Sequence, residues 1–379
     1  MTSNLLNAPS PSASIAHRPR NTLAVLRDLL EQLHEAGIRY CHWKSNEHLG
    51  ASMVGATDLD ILVDRRDARE FARLLAVAGV KPFRKLAGNE YPGVEDYLAF
   101  DAERGAFSHL HVHYQLTLGE KFLKGYRLPW ETRAIDTRVF DAEHQLYVID
   151  PHLELLVLVV RAAIKLRARD WILAARGTRY MSGGLMREFR WLIERISPTD
   201  LGAVARTLVG DDAAAHLLEI VNTPVPSMRQ LSRFRAAARP ELDAYRMYGS
   251  VGGLRRRLVR EWSWLWVAAV NRSRGLKKRS TKVSPTGGLA VAVVGPQTEA
   301  TSLARQLITW LSPEMAVVPD MGTESTMAAR HARGRSKVVI ADRLRRSDPV
   351  PPDLLIELDP QAAPASQLLT AKRALWESI

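Results

Sequence analysis

The spacing of apolar residues predicts a mixture of helices and strands over residues 21–150. Apolar side chains recur at helical spacing over 22–36, and Gly37 follows as a helix stop. The stretch 57–63 ends in a continuous apolar run, as a buried strand does, and 107–116 alternates between apolar and polar residues. Two further strands and a helix are predicted at 38–43, 94–100 and 67–78. Because helices and strands interleave, we expect an α+β domain in this region.

The rest of the chain changes its pattern twice. Helical periodicity dominates first, with predicted helices at 153–173, 186–196, 201–221 and 254–270. Short apolar strands then return around one helix, which is typical of a small parallel α/β unit; these elements are predicted at 289–294, 302–311, 337–341 and 354–358. The fold class predicted for the whole chain is therefore α/β. Its predicted segments are a disordered N-terminus (1–20), an α+β domain (21–150), a helical domain (151–279), a linker (280–288) and a C-terminal α/β domain (289–379).

Bulk composition is that of a globular protein of two or three domains. The chain has 379 residues, 46% of them hydrophobic and 25% charged, and single cores stop growing near ~250 residues. Its single cysteine, Cys41, excludes an internal disulfide framework and a cysteine-based zinc site. Residues 1–20 lack the apolar stretch of a secretory signal, and the apolar run 262–270 is far shorter than the ~20 residues that span a bilayer. We therefore expect a cytoplasmic protein that meets a membrane at most peripherally.

Positive charge is concentrated in one segment. The formal net charge is +12, and residues 254–282 contain ten lysines and arginines against one acid, Glu261. Trp262, Trp264 and Trp266 lie in the same segment. Three interpretations are open: a docking helix followed by a basic linker, contact with an anionic membrane surface, or contact with nucleic acid phosphates. We favour the docking helix, then the membrane surface, because tryptophans at i, i+2 and i+4 do not form one helical stripe.

The strongest chemical pattern is an aspartate pair in an apolar strand. Asp58 and Asp60 point to the same side of the strand, while Leu59 and Ile61 enter the core. Two carboxylates so placed repel each other unless a divalent cation or a basic group lies between them. Oxygen ligands suit Mg²⁺, which also binds substrate phosphates. The alternative is an acidic strand end that faces solvent.

These residues resemble the nucleotidyltransferase fold of the polymerase-beta-like superfamily. The resemblance is carried by the strand and Ser-containing turn at 40–46 and by the Asp-h-Asp-h pattern at 58–63, where h is apolar. It implies that Ser45 holds nucleotide phosphates together with backbone N–H groups at a helix N-terminus. Lys44 stands in place of the family's glycine and is expected to contact phosphate as a point charge. The resemblance also implies Mg²⁺, or Mn²⁺, at the aspartate pair and an NTP as the donor substrate.

The resemblance further implies a third catalytic position at His111, where the family has a carboxylate. His109, His111 and His113 share one face of their strand. Several interpretations are open: His111 acts as a general base, the row binds a softer metal such as manganese or zinc, or the site has lost its chemistry. The remaining alternative is an exposed polar face on a half-buried strand.

Two cations lie one turn apart on the predicted helix 153–173. If this helix packs across the cleft, Arg161 and Lys165 can neutralise the triphosphate or the acceptor. The alternative is a solvated helix face. The sequence therefore adds both residues to the predicted phosphate-binding set.

A partial phosphate-binding loop is predicted between a strand and a helix near residue 295. A working loop has the pattern G-x-x-x-x-G-K-[ST]. Gly295 and Ser302 match this pattern, but Ala300 replaces the second glycine and Thr301 replaces the lysine. Without the lysine, phosphoryl transfer loses a main source of charge stabilisation.

Later strands extend the resemblance of this C-terminal region to thymidylate-kinase-like enzymes. Asp342 and Arg343 follow one apolar strand, and a Pro-Asp-Leu strand follows at 352–359. The order matches over roughly 287–371. With the broken loop, the resemblance implies a degenerate, pseudokinase-like domain that lacks catalysis.

The sequence thus predicts a metal-dependent nucleotidyltransferase that moves an NMP from an NTP to an unidentified hydroxyl or phosphate acceptor. The resemblance suggests sugar or surface-polysaccharide metabolism as its setting. The alternative is a non-catalytic nucleotide-binding or scaffold protein in which both nucleotide folds have degenerated.

Overall fold

The computed structural model shows the mixed α/β class that the sequence predicts. Several predictions fall outside its described residues: the disordered N-terminus, most of the linker, the end of the helix 153–173, and Arg343. The structure describes residues 22–83, 91, 93–119, 124–166, 183–272, 288–315, 317–320, 338–342 and 352–379.

The regular elements alternate between helix and strand in the first 150 residues and again after residue 288. Among the described residues the helices are α1 (Ala24–Glu35), α2 (Leu49–Met53), α3 (Ala68–Val77), α4 (Glu131–Asp136), α5 (Pro151–Ile164), α6 (Gly184–Ile193), α7 (Pro198–Val209), α8 (Asp211–Val221), α9 (Met228–Ala237), α10 (Arg239–Ala244), α11 (Ser250–Arg272), α12 (Gln297–Leu311) and α13 (Pro364–Ser378). The strands are β1 (Tyr40–His42), β2 (Leu59–Val63), β3 (Lys81–Phe83), β4 (Val94–Asp101), β5 (Ala106–His113), β6 (Leu116–Leu118), β7 (Tyr126–Leu128), β8 (Val139–Asp141), β9 (Leu146–Val148), β10 (Leu289–Val294), β11 (Val317–Asp320), β12 (Val338–Ala341) and β13 (Leu354–Glu357).

The first 150 residues form a mixed seven-stranded sheet. The strand order is β3-β4-β5-β2-β1-β9-β8. β2 runs parallel to β5 and β1 runs parallel to β9, whereas the other neighbouring strands are antiparallel. In this register Asp60 lies opposite His111, and His111 lies opposite Asp96 on its other side. Three polar residues therefore form one line across the sheet.

One face of this sheet is buried under α1 and α3. Leu59 and Ile61 of β2 and Leu110 and Val112 of β5 are fully buried in the same apolar cluster as the leucines of α1. Successive side chains of a strand point to opposite faces. Asp60 and the three histidines of β5 therefore project from the other face.

The opposite face of the sheet is covered at its two ends by different parts of the chain. At the β1 end, Cys41, Trp43 and Leu62 join an apolar cluster with α5 and the helices after it. At the β4 end, Phe100 and Phe107 join a cluster with the C-terminal residues. The polar side chains of β2, β4 and β5 lie on the same face between these two clusters.

The helical region packs around α5, whose apolar residues from Leu153 to Ile164 are buried. The single helix predicted over 201–221 is wrong, because Gly210, at φ +84°, separates α7 from α8. Glycine adopts this left-handed conformation without a Cβ clash, so it ends a helix readily. The sequence prediction also missed α9 and α10.

The C-terminal strands form a parallel sheet in the order β11-β12-β10-β13. α12 and α13 connect this sheet to the N-terminal one: the ring of Trp310 stacks on Phe107, with centroids 4.3 Å apart. Lys81 Nζ donates to the carbonyl oxygen of Trp376 at 2.6 Å. The predicted start of the intervening helix at residue 302 is wrong, because α12 begins at Gln297.

Candidate functional site

The Ser45 turn follows β1 directly and begins a short 3₁₀ helix, Asn46–His48. Ser45 adopts the left-handed conformation, with φ +60°, which is uncommon for a residue with a Cβ. Its backbone N–H donates to Glu188 Oε1 at 3.2 Å, and the N–H of Asn46 donates to Glu154 Oε1 at 3.0 Å. The backbone donors predicted to bind phosphate therefore hold carboxylates of α6 and α5.

Lys44 lies beside the aspartate pair. Its Nζ is 2.8 Å from Asp60 Oδ1 and 5.0 Å from the centre of the Trp43 ring. The side chain of Asp60 is 11% exposed, whereas that of Asp58, just before β2, is 48% exposed. The structure thus gives the two carboxylates different surroundings: Asp60 has a half-buried counter-ion in Lys44, and Asp58 is open to solvent.

The histidine row of β5 lies directly beside the aspartates. His109 Nδ1 is 3.2 Å from Asp58 Oδ1, and His111 Nδ1 is 3.5 Å from Asp58 Oδ2 and 3.3 Å from Asp60 Oδ1. His113 Nε2 is 3.2 Å from Asp60 Oδ1. The interpretation of the row as a solvated polar face is wrong, because all three imidazoles are largely buried against carboxylates.

Asp96 on β4 supplies a third carboxylate that the sequence analysis missed. Its side chain is buried, and its Oδ1 is 3.4 Å from His109 Nε2 and 3.0 Å from His111 Nε2. It approaches the imidazoles from the side away from Asp58. The row therefore lies between carboxylates on both neighbouring strands, which suits ionised imidazole or a bound cation.

The charges of this cluster shift one another's pKa values. Burial alone would raise the pKa of Asp60, but Lys44 and the hydrogen bonds from His111 and His113 hold it well below its usual value. Burial would lower the pKa of His109, yet the neighbouring carboxylates of Asp58 and Asp96 raise it to about 9. In His113, burial dominates and lowers the pKa to about 3. The cluster thus combines ionised carboxylates with one imidazole whose pKa is raised, His109, and one whose pKa is lowered, His113.

Two triads of this cluster have the donor atoms of a metal site. Asp58, His109 and His111 form one, and Asp60, His111 and His113 form the other; within each triad the ligand atoms lie within 4.8 Å of one another. Carboxylate oxygens with imidazole nitrogens form a donor set for a divalent cation. The donor chemistry therefore fits a divalent cation, and the imidazoles suit Mn²⁺ or Zn²⁺ better than the Mg²⁺ that the resemblance implies.

Several cations converge beside these carboxylates. They include Arg161 of α5 and Lys165, which directly follows the end of α5. Burial, followed by the nearby charges of Lys44 and Lys165, lowers the pKa of Lys124 to about 7. Burial, Arg161 and Lys44 also lower the pKa of Lys165. The positive charges of Lys44, Arg161 and Lys165 thus act on Lys124, and such a group of cations suits a polyanion.

Lys124 was missed by the sequence analysis, because it lies in a segment without a motif. It has a left-handed backbone, with φ +42°, and its Nζ lies 4.8 Å from the centre of the Tyr91 ring. A non-glycine residue in this conformation is uncommon and often marks a functional constraint. Its proximity to Lys44 arises from the tertiary fold and is not indicated by the sequence.

Two buried glutamates complete the surroundings of the Ser45 turn. Glu154 accepts from both the N–H and the Nδ2 of Asn46, and burial raises its pKa to about 7. Glu188 accepts from Arg161 NH2 at 2.6 Å, and burial raises its pKa despite this partner. Neither glutamate was predicted, because both lie in apolar helical stretches that indicate only core packing.

The residues of the partial phosphate loop serve packing and local hydrogen bonds. A Cβ on Gly295 would lie 2.6 Å from Leu358 Cδ1. This position therefore has room only for glycine unless Leu358 shifts. Thr301, in the position of the missing lysine, donates through its hydroxyl to Asp342 Oδ2 at 2.8 Å. Ser302 is exposed. Because α12 already begins at Gln297, only Gly295 and Pro296 connect it to β10.

Helix α11 exposes an apolar stripe. Val251, Leu254, Leu258, Trp262 and Leu265 are all exposed, Trp262 by 72%, and their spacing of three and four residues places them on one side of the helix. The side chains of Trp264 and Trp266 lie outside the described residues. Among the helices that the structure describes, none combines the length and apolar character needed to cross a bilayer.

No protein-family model, curated protein or solved structure matches the chain. The resemblance to nucleotidyltransferases therefore rests on the residues of the Ser45 turn and the aspartate strand.

Proposed function

We propose that the chain is a metal-dependent nucleotidyltransferase that transfers an NMP from an NTP to an acceptor oxygen. One observation carries this proposal: carboxylates suited to a divalent cation lie beside a cluster of cations suited to a polyanion. Lys44 joins the two groups through its contact with Asp60 at 2.8 Å. A metal-bound nucleoside triphosphate presents both kinds of charge, so one ligand satisfies both halves of the site.

The transfer follows from the positions of the chain's own residues. The acceptor oxygen forms a bond to the α-phosphorus, the bond from that phosphorus to the oxygen of the leaving pyrophosphate breaks, and the acceptor loses its proton. Asp58 receives this proton, because its half-exposed carboxylate is the one that an acceptor can reach. Lys44, Lys124, Arg161 and Lys165 hold the triphosphate and balance the charge that develops on pyrophosphate.

The divalent cation would be held at the aspartate pair, with Asp58 as its carboxylate ligand, and would supply charge neutralisation at the α-phosphate. Asp60 remains ionised because Lys44 and the neighbouring imidazoles lower its pKa. His111 lies between both aspartates, at 3.3 Å and 3.5 Å, and therefore orients them.

The C-terminal domain is proposed to be a non-catalytic packing module. Its connection between β10 and α12 is too short to cradle phosphates, and Asp342 is occupied by Thr301 and Gln297. A kinase needs a lysine and a metal-binding aspartate at these positions. The pseudokinase-like character predicted from the sequence is thus supported by local geometry.

The first experiment is pyrophosphate release from each of the four NTPs with Mg²⁺ or Mn²⁺, with and without cell extract as a source of acceptor. We expect release that falls by at least ~10³-fold in Asp58→Asn and Asp60→Asn, because each removes a charge at the reacting phosphate. The matched control is Asp28→Asn, which removes an exposed carboxylate from α1. Release that persists in both site variants would refute the proposal.

A second candidate is a non-catalytic nucleotide-binding or scaffold protein. It is favoured by the carboxylates of Glu154 and Glu188 on the N–H groups of Asn46 and Ser45, where a phosphate would bind. Equilibrium binding of labelled NTP separates the candidates. Saturable NTP binding by a folded sample without pyrophosphate release, under every condition above, would establish the second candidate in place of the first.

A further inference from the structure

The two nitrogens of His109 and His111 face different carboxylates. Both Nδ1 atoms face Asp58, at 3.2 Å and 3.5 Å. Both Nε2 atoms face Asp96, at 3.4 Å and 3.0 Å. A buried carboxylate behind an imidazole fixes its tautomer and orientation, and it strengthens the opposite nitrogen as a ligand. The Nδ1 atom of His109 is thus held toward Asp58, and that of His111 lies between Asp58 and Asp60 Oδ1, which is 3.3 Å away.

We propose that Asp58, His109 and His111 bind one transition-series divalent ion, between Mn²⁺ and Zn²⁺ in ligand preference, with Asp96 orienting both imidazoles. The inference rests on the proposed function only for the use of this ion in nucleotidyl transfer. Imidazole nitrogen suits manganese, cobalt and zinc, whereas Mg²⁺ prefers oxygen ligands throughout. The histidine row therefore changes which ion the aspartate strand selects.

Lys44 decides between the two triads of potential ligands. Asp60 Oδ1 faces His111 and His113, but the Lys44 ammonium already lies 2.8 Å from the same oxygen. A positive charge there opposes a second cation at Asp60. The single lone pair of His111 Nδ1 also serves only one ion at a time. The ion is therefore assigned to the Asp58 triad, and Lys44 takes the place of a second cation.

The exposure of Asp58 leaves room for substrate at this ion. Three protein ligands leave positions open for water or for a substrate oxygen, as in catalytic metal sites. Asp58 has two carboxylate oxygens, so one can hold the ion while the other remains for the acceptor's proton. The metal centre and the proposed reaction are thus compatible at the same residue.

The test measures metal binding without nucleotide, by calorimetric titration of the full chain with Zn²⁺, Mn²⁺ and Mg²⁺. We expect one strong site that prefers Zn²⁺ over Mg²⁺ by at least ~100-fold. His109→Gln and His111→Gln should weaken it by more than ~10-fold, and Asp96→Asn should weaken it by roughly 10- to 100-fold. His113→Gln is the matched control from the Asp60 triad, and His216→Gln controls for binding at a surface imidazole. Circular dichroism confirms that each variant folds.

Two results would overturn the inference. The first is equal loss of affinity in His113→Gln, which would assign the ion to Asp60. The second is a wild-type chain that binds Mg²⁺ as tightly as Zn²⁺, or that binds neither ion. Pyrophosphate release is measured separately, so metal binding with the expected variant pattern but without release would support the metal centre and refute only the proposed function.

Discussion

Three aspartates share one face of the sheet because a lysine and several imidazoles lie between them. Asp58, Asp60 and Asp96 would repel one another strongly in a half-buried cluster. Lys44 and the imidazoles of β5 lie between them and offset this repulsion. The lysine that replaces the glycine of the resembled family therefore has a structural partner at Asp60 as well as a proposed role with phosphate.

Glu154 gives the first prediction, which concerns stability and pH. Burial raises its folded-state pKa from 4.5 to about 7. The folded state therefore binds more protons than the unfolded chain between these values, and the contribution of Glu154 to stability falls as the pH rises through this window. Relative to Glu154→Gln, the free energy of unfolding of the wild type should fall by about 2 kcal/mol between pH 5.5 and 7.5.

Urea unfolding of both proteins at several pH values measures this difference. The matched control is Glu131→Gln, which removes a carboxylate from the N–H of Leu116 at a less buried position. If the difference in the free energy of unfolding between the wild type and Glu154→Gln stays constant with pH, the expected proton linkage is contradicted.

The sequence could predict part of this site because the side-chain period of a strand is local. Spacing alone placed Asp58 and Asp60 on one face and aligned the histidines of β5. It could not identify Asp96, because that residue reaches His111 only through the pairing of β4 with β5. Lys124 and Glu188 were missed for the same reason: their partners are far away in sequence.

Two helices supply the carboxylates that accept from the backbone N–H groups of the Ser45 turn. α5 carries Glu154 and Arg161, and α6 carries Glu188, whose carboxylate contacts both Arg161 and the N–H of Ser45. Arg161 belongs to the phosphate-binding set of the proposed function, and the N–H of Ser45 lies in the turn that the sequence predicts to hold phosphate. Under the proposed function, the carboxylate of Glu188 therefore competes with a phosphate oxygen for these two donors.

Glu188→Gln should consequently bind NTP more tightly, by about tenfold, because it removes a charge-assisted competitor of the phosphate. Equilibrium binding of a fluorescent NTP measures the change. Glu194→Gln, just after the end of the same helix, is the matched control at an exposed position. Weaker binding in Glu188→Gln would instead mean that this carboxylate holds Arg161 in place for the phosphate.

Helix α11 combines an exposed apolar stripe with exposed basic residues. Its exposed apolar stripe lies beside Arg255, Arg256 and Arg257, which are also exposed. An apolar stripe with arginines around it complements the interface of an anionic bilayer. We expect the chain to bind vesicles that contain phosphatidylserine and to leave neutral phosphatidylcholine vesicles unbound.

Replacement of these three arginines by glutamine should weaken vesicle binding by roughly 100-fold, since each basic residue near the surface contributes ~1 kcal/mol. Co-sedimentation with vesicles measures the affinity. Arg229→Gln with Arg233→Gln, on the exposed side of α9, is the matched control. Equal binding to neutral vesicles, or equal loss in the control, would contradict the expected lipid surface.

At the scale of the whole molecule, the sequence predicted the mixed class and the most strongly periodic elements, but not how the elements meet. The alternation of helices and strands predicted the mixed α/β class, since periodicity is set by neighbours along the chain. The contact of Trp310 with Phe107 joins residues two hundred positions apart, and no local pattern indicates it. The early start of α12 was missed because Gly295 and Pro296 resemble the beginning of a longer loop.

Under the proposed function, the placement of the two apolar clusters on the sheet limits the shape of the acceptor. The carboxylates stand on a strip of sheet with the helical cluster at one side and the C-terminal aromatic cluster at the other. Under the proposed function, an acceptor would reach Asp58 between these two clusters, so a narrow molecule or the free end of a chain would fit this approach better than a broad folded surface. We therefore expect the acceptor oxygen to lie at the tip of a slender molecule.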